Sequence, residues 1–298
     1  MTTTDRPSRA RRALLWIAAF LLTFAAAAYQ RRSGPTYPYR GELEVGGETV
    51  AYRLLRSAET SADARIALPV PAGVTGARLL YRRYNTGEAW SAIEMTAEPT
   101  GGERHLVGGL PRQPAAGKVE YVVEVESAAG SRRIPAAPGE SIVLRFKDPV
   151  WTPLLVTHVA MMVIGLLVGM RAALGALLAP YNVRLLAGIT FLAMTLGGMV
   201  LGPFVQKQAF GAYWTGFPWG HDLTDNKTLI MWLAWLVACL AVVGPLGRRP
   251  MVGRVVVLLA ALVTTGVYLI PHSLRGSSLD YAAVERGVEA RDAVKTGH

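Results

Sequence analysis

Stretches of almost uninterrupted apolar residues alternate along this chain with segments that carry charges and turn residues. The apolar stretches cover residues 13–28, 151–170, 185–205, 229–246 and 255–270. At a rise of roughly 1.5 Å per helical residue, each of the last four comes close to the roughly 30 Å hydrocarbon thickness of a bilayer. The pattern therefore predicts a membrane protein in which residues 151–271 form a four-helix transmembrane bundle.

The first apolar stretch, assigned to residues 13–29, follows a basic segment at 1–12 and fits two interpretations. Ala25 to Ala28 offer the small residues of a signal-peptide cleavage site, whereas an uncut stretch would remain as a membrane anchor. Both interpretations leave residues 1–12 in the cytoplasm and send the next segment out of it. The predicted topology is therefore the same in either case.

Residues 36–148 have the pattern of a separate β domain. Short runs rich in Val, Tyr, Leu and Ile alternate with turn signals such as Gly46-Gly47 and Asn85-Thr86-Gly87. Seven or eight strands at this spacing predict an antiparallel β-sandwich. The runs YRRYNTGEAWSAIEM and PAAGKVEYVVEV resemble those of fibronectin type III and related immunoglobulin-like modules. That resemblance implies a binding domain without chemistry of its own.

The net charge of +10 comes largely from arginines that cluster on alternate sides of the apolar stretches. These arginines are Arg6, Arg9, Arg11, Arg12, Arg171, Arg184, Arg248, Arg249 and Arg254. Cationic loops stay in the cytoplasm, so this distribution predicts a multi-pass protein of a bacterial-type inner (plasma) membrane, with the lipid bilayer and not nucleic acid as its partner. The β-sandwich, the loop at 205–228 and a charged, mostly exposed tail at 272–298 are then extracytoplasmic.

The external loop at 205–228 is unlike an ordinary connection between membrane helices, which is short and polar. Its sequence, VQKQAFGAYWTGFPWGHDLTDNKT, combines aromatic rings with a histidine, two aspartates and two lysines. Flat rings with titratable groups among them predict a site for a large apolar ligand at the outer leaflet. Asp225 has a plainer expected role as the N-cap of the next helix, with Asn226 and Thr228 as alternatives.

Three histidines reach the same leaflet in the predicted topology. His158 lies inside a membrane stretch, where a polar side chain is costly, whereas His221 is in the aromatic loop and His272 follows the last stretch. We expect the three imidazoles to approach one another beside a pocket. The alternatives are a structural hydrogen bond for His158, a solvated loop position for His221 and an interfacial position for His272.

Residues 205–238 carry a resemblance to a known family. Phe210, Gly211, Tyr213 and Trp214 match a W-G-x-[FY]-W run, and the later D-x-K-T sequence that begins at Asp225 matches W-D-P-K-x-T without its proline. The segment resembles the tryptophan-rich, WWD-type haem-handling membrane proteins of cytochrome c maturation. The resemblance implies a haem on the outer face, with histidines as axial ligands.

Two functions from different classes follow. The first is an outer-leaflet cofactor site for haem-based redox chemistry, electron transfer or haem handling in cytochrome biogenesis, with quinone as the alternative cofactor. The second is a non-catalytic accessory or assembly subunit of a membrane complex, in which the β-sandwich binds an extracytoplasmic protein partner. Whether the protein is an enzyme stays open. The candidate cofactor residues are His158, His221 and His272 for the haem iron, Trp214, Trp219 and Tyr213 for stacking, and Lys207 and Lys227 for the propionates.

Overall fold

The computed structural model describes residues 7–100, 103–179, 181–243, 249–271 and 276–295. A β domain is inserted between the first and the second of the long helices, and a short C-terminal segment follows the last one. Among the described residues, five helices are long and apolar enough to cross a membrane, by length and composition. The coarse prediction, a chain with β-sheets and apolar helices that could span a bilayer, is therefore confirmed.

The helices extend further than the apolar stretches suggested. They are α1 (Arg9–Ser33), α2 (Thr152–Leu178), α3 (Val183–Met194), a π-helical segment (Thr195–Leu201), α4 (Gly202–Phe210), α5 (Leu223–Val243) and α6 (Pro250–Leu269). The third candidate span is continuous from α3 through the π segment to α4. Gly211 ends α4 in the left-handed conformation at φ 87°. The loop predicted at 205–228 is therefore shorter, at 211–222.

The bundle is packed around Trp235 of α5. This side chain is fully buried, and its Nε1 donates a 2.9 Å hydrogen bond to Thr264 Oγ1 of α6. Gly169 of α2 permits the close approach, since a Cβ there would lie 2.8 Å from Trp235 Cζ2. Helix α1 packs on α2 and α6, and its buried side chains include Leu15 and Ala19. All five candidate spans thus belong to one helical assembly.

In the described residues the β domain contains eleven strands and not the seven or eight expected. They are β1 (Tyr39–Val45), β2 (Glu48–Leu54), β3 (Ser57–Glu59), β4 (Ala64–Pro69), β5 (Val74–Arg83), β6 (Ser91–Glu94), β7 (Thr96–Thr100), β8 (Glu103–Leu110), β9 (Lys118–Ser127), β10 (Gly130–Ile134) and β11 (Ile142–Lys147). The difference arises because the chain breaks into strands as short as three residues, which leave little alternation to read.

The strands form three sheets that share one apolar core. Their strand orders are β1-β2, β4-β8-β7 and β3-β11-β9-β5-β6, and β10 also belongs to the third sheet, where it pairs with β9. The pairing is antiparallel except between β3 and β11, which run parallel. The β1–β2 hairpin turns at Gly46-Gly47, with φ of 63° and 84°, as its two-residue sequence predicts. Kinship with fibronectin type III modules stays a prediction.

The C-terminal segment docks on the β domain. It consists of β12 (Ser278–Leu279), α7 (Tyr281–Glu285) and β13 (Val294–Lys295), so the mostly exposed tail that we expected is wrong for its buried members Leu279 and Tyr281. The Tyr281 hydroxyl accepts from the Lys118 N–H and donates to the Lys118 carbonyl, each at 3.0 Å. The segment is therefore held by backbone groups of β9.

The bundle has two chemically different ends. At one end, which we call the β end, the Asp148 N–H donates to the Ala209 carbonyl at 3.0 Å and so joins the β domain to α4. At the other, which we call the arginine end, Arg11 Nη2 donates to the Leu178 carbonyl at 2.5 Å and Arg254 Nε to the Ala176 carbonyl at 2.7 Å. The β domain, the loop at 211–222 and the C-terminal segment all meet at the β end.

Candidate functional site

A cavity of about 390 Å³ lies at the β end, where β11, α1, α2, the π segment, α4, α5 and Tyr268 of α6 converge. Its apolar wall includes Val159, Met162, Val163, Val205 and Met231. Its polar lining includes Arg145, His158, Asp222, Asp225 and Lys227. An apolar body with a few convergent polar groups is the usual composition of a ligand site.

His158 is fixed in this cavity by the π segment. Its Nδ1 lies 2.9 Å from the carbonyl oxygen of Gly197. A carbonyl can only accept, so Nδ1 carries the proton and Nε2 of the neutral ring remains an acceptor or ligand. The same carbonyl also accepts a hydrogen bond from the N–H of Gly202, five residues later, as in a π-helix. The π segment therefore determines which imidazole nitrogen is available for a ligand.

The sequence of the π segment explains its shape. Pro203 has no N–H to donate and its ring crowds the carbonyl four residues earlier, so a regular helix is disfavoured just before it. Gly197 and Gly198 lie so close to neighbouring helices that a side chain at either position would clash. A Cβ at Gly197 would lie 2.8 Å from Met161 Cβ, and one at Gly198 would lie 2.7 Å from Thr228 Cγ2. Such π turns occur frequently at functional sites.

The two aspartates of the cavity are both held by donors from the protein. Asp222 Oδ1 accepts from the Thr224 N–H at 2.8 Å, while Oδ2 accepts from the N–H and the hydroxyl of Ser277, each at 3.1 Å. Asp225 Oδ2 accepts from the Thr215 N–H at 2.6 Å and from its hydroxyl at 3.1 Å. Both carboxylates are buried.

The expected capping role of Asp225 is wrong. Helix α5 begins at Leu223, two residues earlier than that role requires, so Asp222 is the residue that caps the first turn. Asp225 lies within that turn, where its negative charge is favourable to the helix dipole. Its hydrogen bonds to Thr215 tie α5 to the loop at 211–222.

Arg31, Arg145 and Lys227 line the cavity, and the two buried ones, Arg145 and Lys227, use fewer of their hydrogen-bonding groups than the two aspartates do. Lys227 is 5% exposed and its Nζ donates to the Ile270 carbonyl. Arg145 is 9% exposed, lies 4.1 Å from the centre of the Phe210 ring, and its Nε has no hydrogen-bond partner among the described residues. Burial lowers the pKa of Arg145 to about 10, although the charge of Asp222 acts in the opposite direction. The guanidinium therefore remains charged at neutral pH.

Most of the aromatic loop lies outside the cavity. Tyr213, Phe217 and Trp219 are 52%, 65% and 81% exposed, and Trp214 Nε1 donates to the Phe217 carbonyl at 3.0 Å. Among the five aromatic residues of the predicted loop, Phe210 alone lines the cavity. The loop borders the site through its two ends, at Phe210 and Asp222, and not through its exposed rings.

The predicted histidines and lysines are also divided, because some of them line the cavity and others lie outside it. His158 and Lys227 line the cavity, whereas His221 is exposed and Lys207 donates to the Gly211 carbonyl at 2.5 Å outside it. His272 is outside the described residues. Within the described ranges, no group of three His, Cys, Asp or Glu side chains is arranged to hold a metal ion.

Sequence reasoning missed Arg145 as a member of the site and identified Asp222 only as one of the two aspartates of the aromatic loop. Arg145 lies in β11 between the buried residues Leu144 and Phe146, and a strand pattern gives no sign that it meets a helical bundle. Asp222 was visible as a loop carboxylate, but its contact with Ser277 joins positions 55 residues apart in the chain. No family model matches this sequence, and no curated protein is detectably similar to it.

Proposed function

We propose that this chain is a multi-pass protein of a bacterial-type inner membrane that holds an amphipathic redox cofactor, haem in the first place, in the cavity at its β end. The observation that carries the proposal is the hydrogen bond from His158 Nδ1 to the Gly197 carbonyl beside that cavity. Histidines that ligate metals almost always donate their other ring N–H to a carbonyl, a carboxylate or water. Such a bond fixes both the tautomer and the plane of the ring.

The cavity walls suit a flat apolar macrocycle. Met162 and Met231 provide apolar contacts, and Gly198 and Gly202 leave the wall of the π segment without side chains. His158 Nε2 would ligate the iron, and Lys227 would meet the propionates. Bound there, haem would supply one-electron chemistry, whose potential depends on the axial ligand, hydrogen bonding and burial. The chain's own part is to orient the imidazole and to exclude water.

The decisive experiment is an absorption spectrum of the purified protein in detergent, before and after addition of haem. We expect a Soret band that titrates to one equivalent and is lost or strongly shifted in His158→Ala. His221→Ala is the matched control, because that exposed imidazole does not line the cavity, and it should leave the band unchanged. A spectrum of His158→Ala identical to that of the unaltered protein would rule out the proposed ligand.

A quinone is the second candidate, because the ammonium of Lys227 offers hydrogen-bond donors in a largely apolar cavity and the ring oxygens of a quinone accept them. Solvent extraction of the purified protein followed by chromatography tests for a stoichiometric quinone. A colourless preparation without quinone that co-purifies another membrane protein would favour the accessory-subunit function. The exposed rings of Phe217 and Trp219 would then be the first surface to alter.

The proposal also requires the β end to face away from the cytoplasm. The arginine end carries the cationic residues that stay in the cytoplasm by the positive-inside rule, which supports this orientation. Reporter fusions at Gly87 and Gly216 should report the outside, and a fusion at Asn182 the inside. A cytoplasmic signal from Gly216 would contradict both the orientation and an outer-leaflet site.

A further inference from the structure

The charged side chains of the cavity differ in how much of their hydrogen-bonding capacity the protein uses. Asp222 accepts from two backbone N–H groups and a hydroxyl at 2.8 to 3.1 Å, and Asp225 accepts from a backbone N–H and a hydroxyl of Thr215. Neither acid forms a salt bridge within the described ranges. The carboxylates are therefore stabilised by neutral donors and do not need the cations of the cavity.

The two buried cations, Arg145 and Lys227, have N–H donors without an acceptor among the described residues. An ammonium group carries three N–H donors, and Lys227 uses one of them on the Ile270 carbonyl among the described residues. Arg145 Nε has no partner in the same part of the chain. Buried cations whose N–H donors are unpaired are costly, and a ligand with negatively charged oxygens would reduce that cost.

The two cations come from different structural units. Arg145 is on β11 of the β domain, where the Phe210 ring lies 4.1 Å from its guanidinium and Gly276 leaves room for it: a Cβ there would be 2.7 Å from Nη1. Lys227 is in the first turns of α5. A single anionic group in the cavity between them would contact both the β domain and the bundle.

We propose that the ligand of this cavity carries a carboxylate or a phosphate that is held by Arg145 and Lys227, with its apolar body against Met162 and Met231. The proposal rests on the proposed function of the same cavity and narrows its ligand class to amphipathic anions. It favours a haem, through its propionates, or a phospholipid over an uncharged quinone.

The test uses pairs of probes that differ in the anionic group. Protoporphyrin IX is compared with its dimethyl ester, and lysophosphatidic acid with the corresponding monoacylglycerol, each titrated into the full-length protein in a neutral detergent. Metal-free porphyrin needs no axial histidine, so its binding is independent of His158. We expect the acid of at least one pair to bind about tenfold or more tightly than its uncharged counterpart.

Charge-neutralising variants identify the groups responsible. Lys227→Gln should remove most of the preference for the acid, whereas Lys207→Gln, which alters a second lysine bonded to a backbone carbonyl but outside the cavity, should not. Arg145→Gln should act like Lys227→Gln, and Arg145→Lys should restore part of the preference. Size-exclusion profiles and circular dichroism verify that each variant is folded.

The outcomes separate this inference from the proposed function. Preference for the porphyrin acid supports a carboxylate ligand, and preference for the lysophospholipid alone supports a lipid phosphate. Equal affinities within both pairs, no binding of either acid, or a preference unaffected by Lys227→Gln overturns the inference, even if His158 ligates haem. If an acid binds more tightly than its uncharged counterpart but added haem gives no Soret band, haem is excluded as the ligand and the anion site is still supported.

Discussion

The two ends of the helical bundle use cationic side chains in opposite ways. At the β end, Arg145 and Lys227 are buried beside a cavity that also contains Asp222 and Asp225. The sequence has no Asp or Glu between Asp148 and Asp222, nor between Asp225 and Asp280, so the parts of the arginine end contributed by α2, α3, α5 and α6 contain no acids. Its guanidinium groups donate to the last carbonyls of α2, which are otherwise unpaired at a helix end.

This difference separates cations that stabilise a helix end from cations that we propose bind a ligand. Cations at a helix C-terminus are favourable to its dipole and also satisfy backbone oxygens, so Arg11 and Arg254 need no ligand to be stabilised. The cavity cations have no comparable set of carbonyls among the described residues. The following predictions test this distinction, beginning with the largest expected effect.

Asp222→Ala should be the most damaging change at the β end. It removes the N-cap of α5 and leaves Ser277 without its acceptor, so the free energy of unfolding should fall by about 2–4 kcal/mol. Denaturant-induced unfolding in detergent measures the loss. Asp280→Ala removes the half-buried N-cap of the short helix α7 together with its ion pair to Lys295, and it should have a smaller effect. Equal losses for the two variants would show that the contact with Ser277 contributes nothing.

Gly197→Ala should destabilise the π segment. The new Cβ would lie 2.8 Å from Met161 Cβ, and overpacking of this kind costs about 1–3 kcal/mol. Gly266→Ala is the matched control in α6, because nothing lies within 4 Å of its Cβ position, and it should be neutral or stabilise by up to about 1 kcal/mol. Thermal melts of the two variants should therefore shift in opposite directions.

Arg171→Met should show that the arginine end contains a cation which does not stabilise the fold. Arg171 is 3% exposed, and its Nε and Nη1 have no hydrogen-bond partner among the described residues, although Trp16 lies 5.6 Å from its guanidinium carbon. Replacing it by an apolar side chain of similar length should raise the free energy of unfolding by about 1 kcal/mol. Arg254→Met, which removes bonds to α2 carbonyls, should lower it. A marked loss of stability in Arg171→Met would contradict the distinction.

The last prediction is a pH dependence at Lys118, next to the C-terminal segment. Burial, together with repulsion from Arg145, lowers the pKa of Lys118 from 10.5 to about 8. Between those values the unfolded chain binds more protons than the folded one, so stability should rise with pH over this window. Lys118→Met should reduce that slope, and Arg145→Gln should raise the pKa of Lys118. An unchanged slope in Lys118→Met would contradict the assignment.

The sequence predicted the large elements because they depend on long-range averages of hydropathy. The four later apolar stretches match α2, the α3–α4 span, α5 and α6, although some boundaries moved by several residues, as at the end of α2, which lies at Leu178 and not at residue 170. The third stretch was predicted to end at Val205, whereas its helix continues to Phe210. The π turn before Pro203 had no signal in the hydropathy pattern, because it depends on the close packing of Gly197 and Gly198 against neighbouring helices.

The site was predictable only in part, for a physical reason. His158 stood out because an imidazole inside an apolar helix needs a partner, and it does line the cavity. Arg145 did not stand out, because its role depends on how the β domain sits on the bundle. Trp219 belongs to the aromatic loop, which was the most prominent feature of the sequence. The structure leaves this residue exposed and outside the cavity, which the composition of the loop could not reveal.

The position of Ser277 has a consequence for biosynthesis. Its N–H and hydroxyl bind Asp222, and the adjacent Gly276 lies against Arg145. Residues that leave the ribosome after every long helix therefore hold two side chains of the cavity wall in place. A nascent chain that has inserted all its helices still lacks these contacts. If the cavity holds the proposed ligand, stop codons placed before residue 276 should yield inserted protein that binds it more weakly.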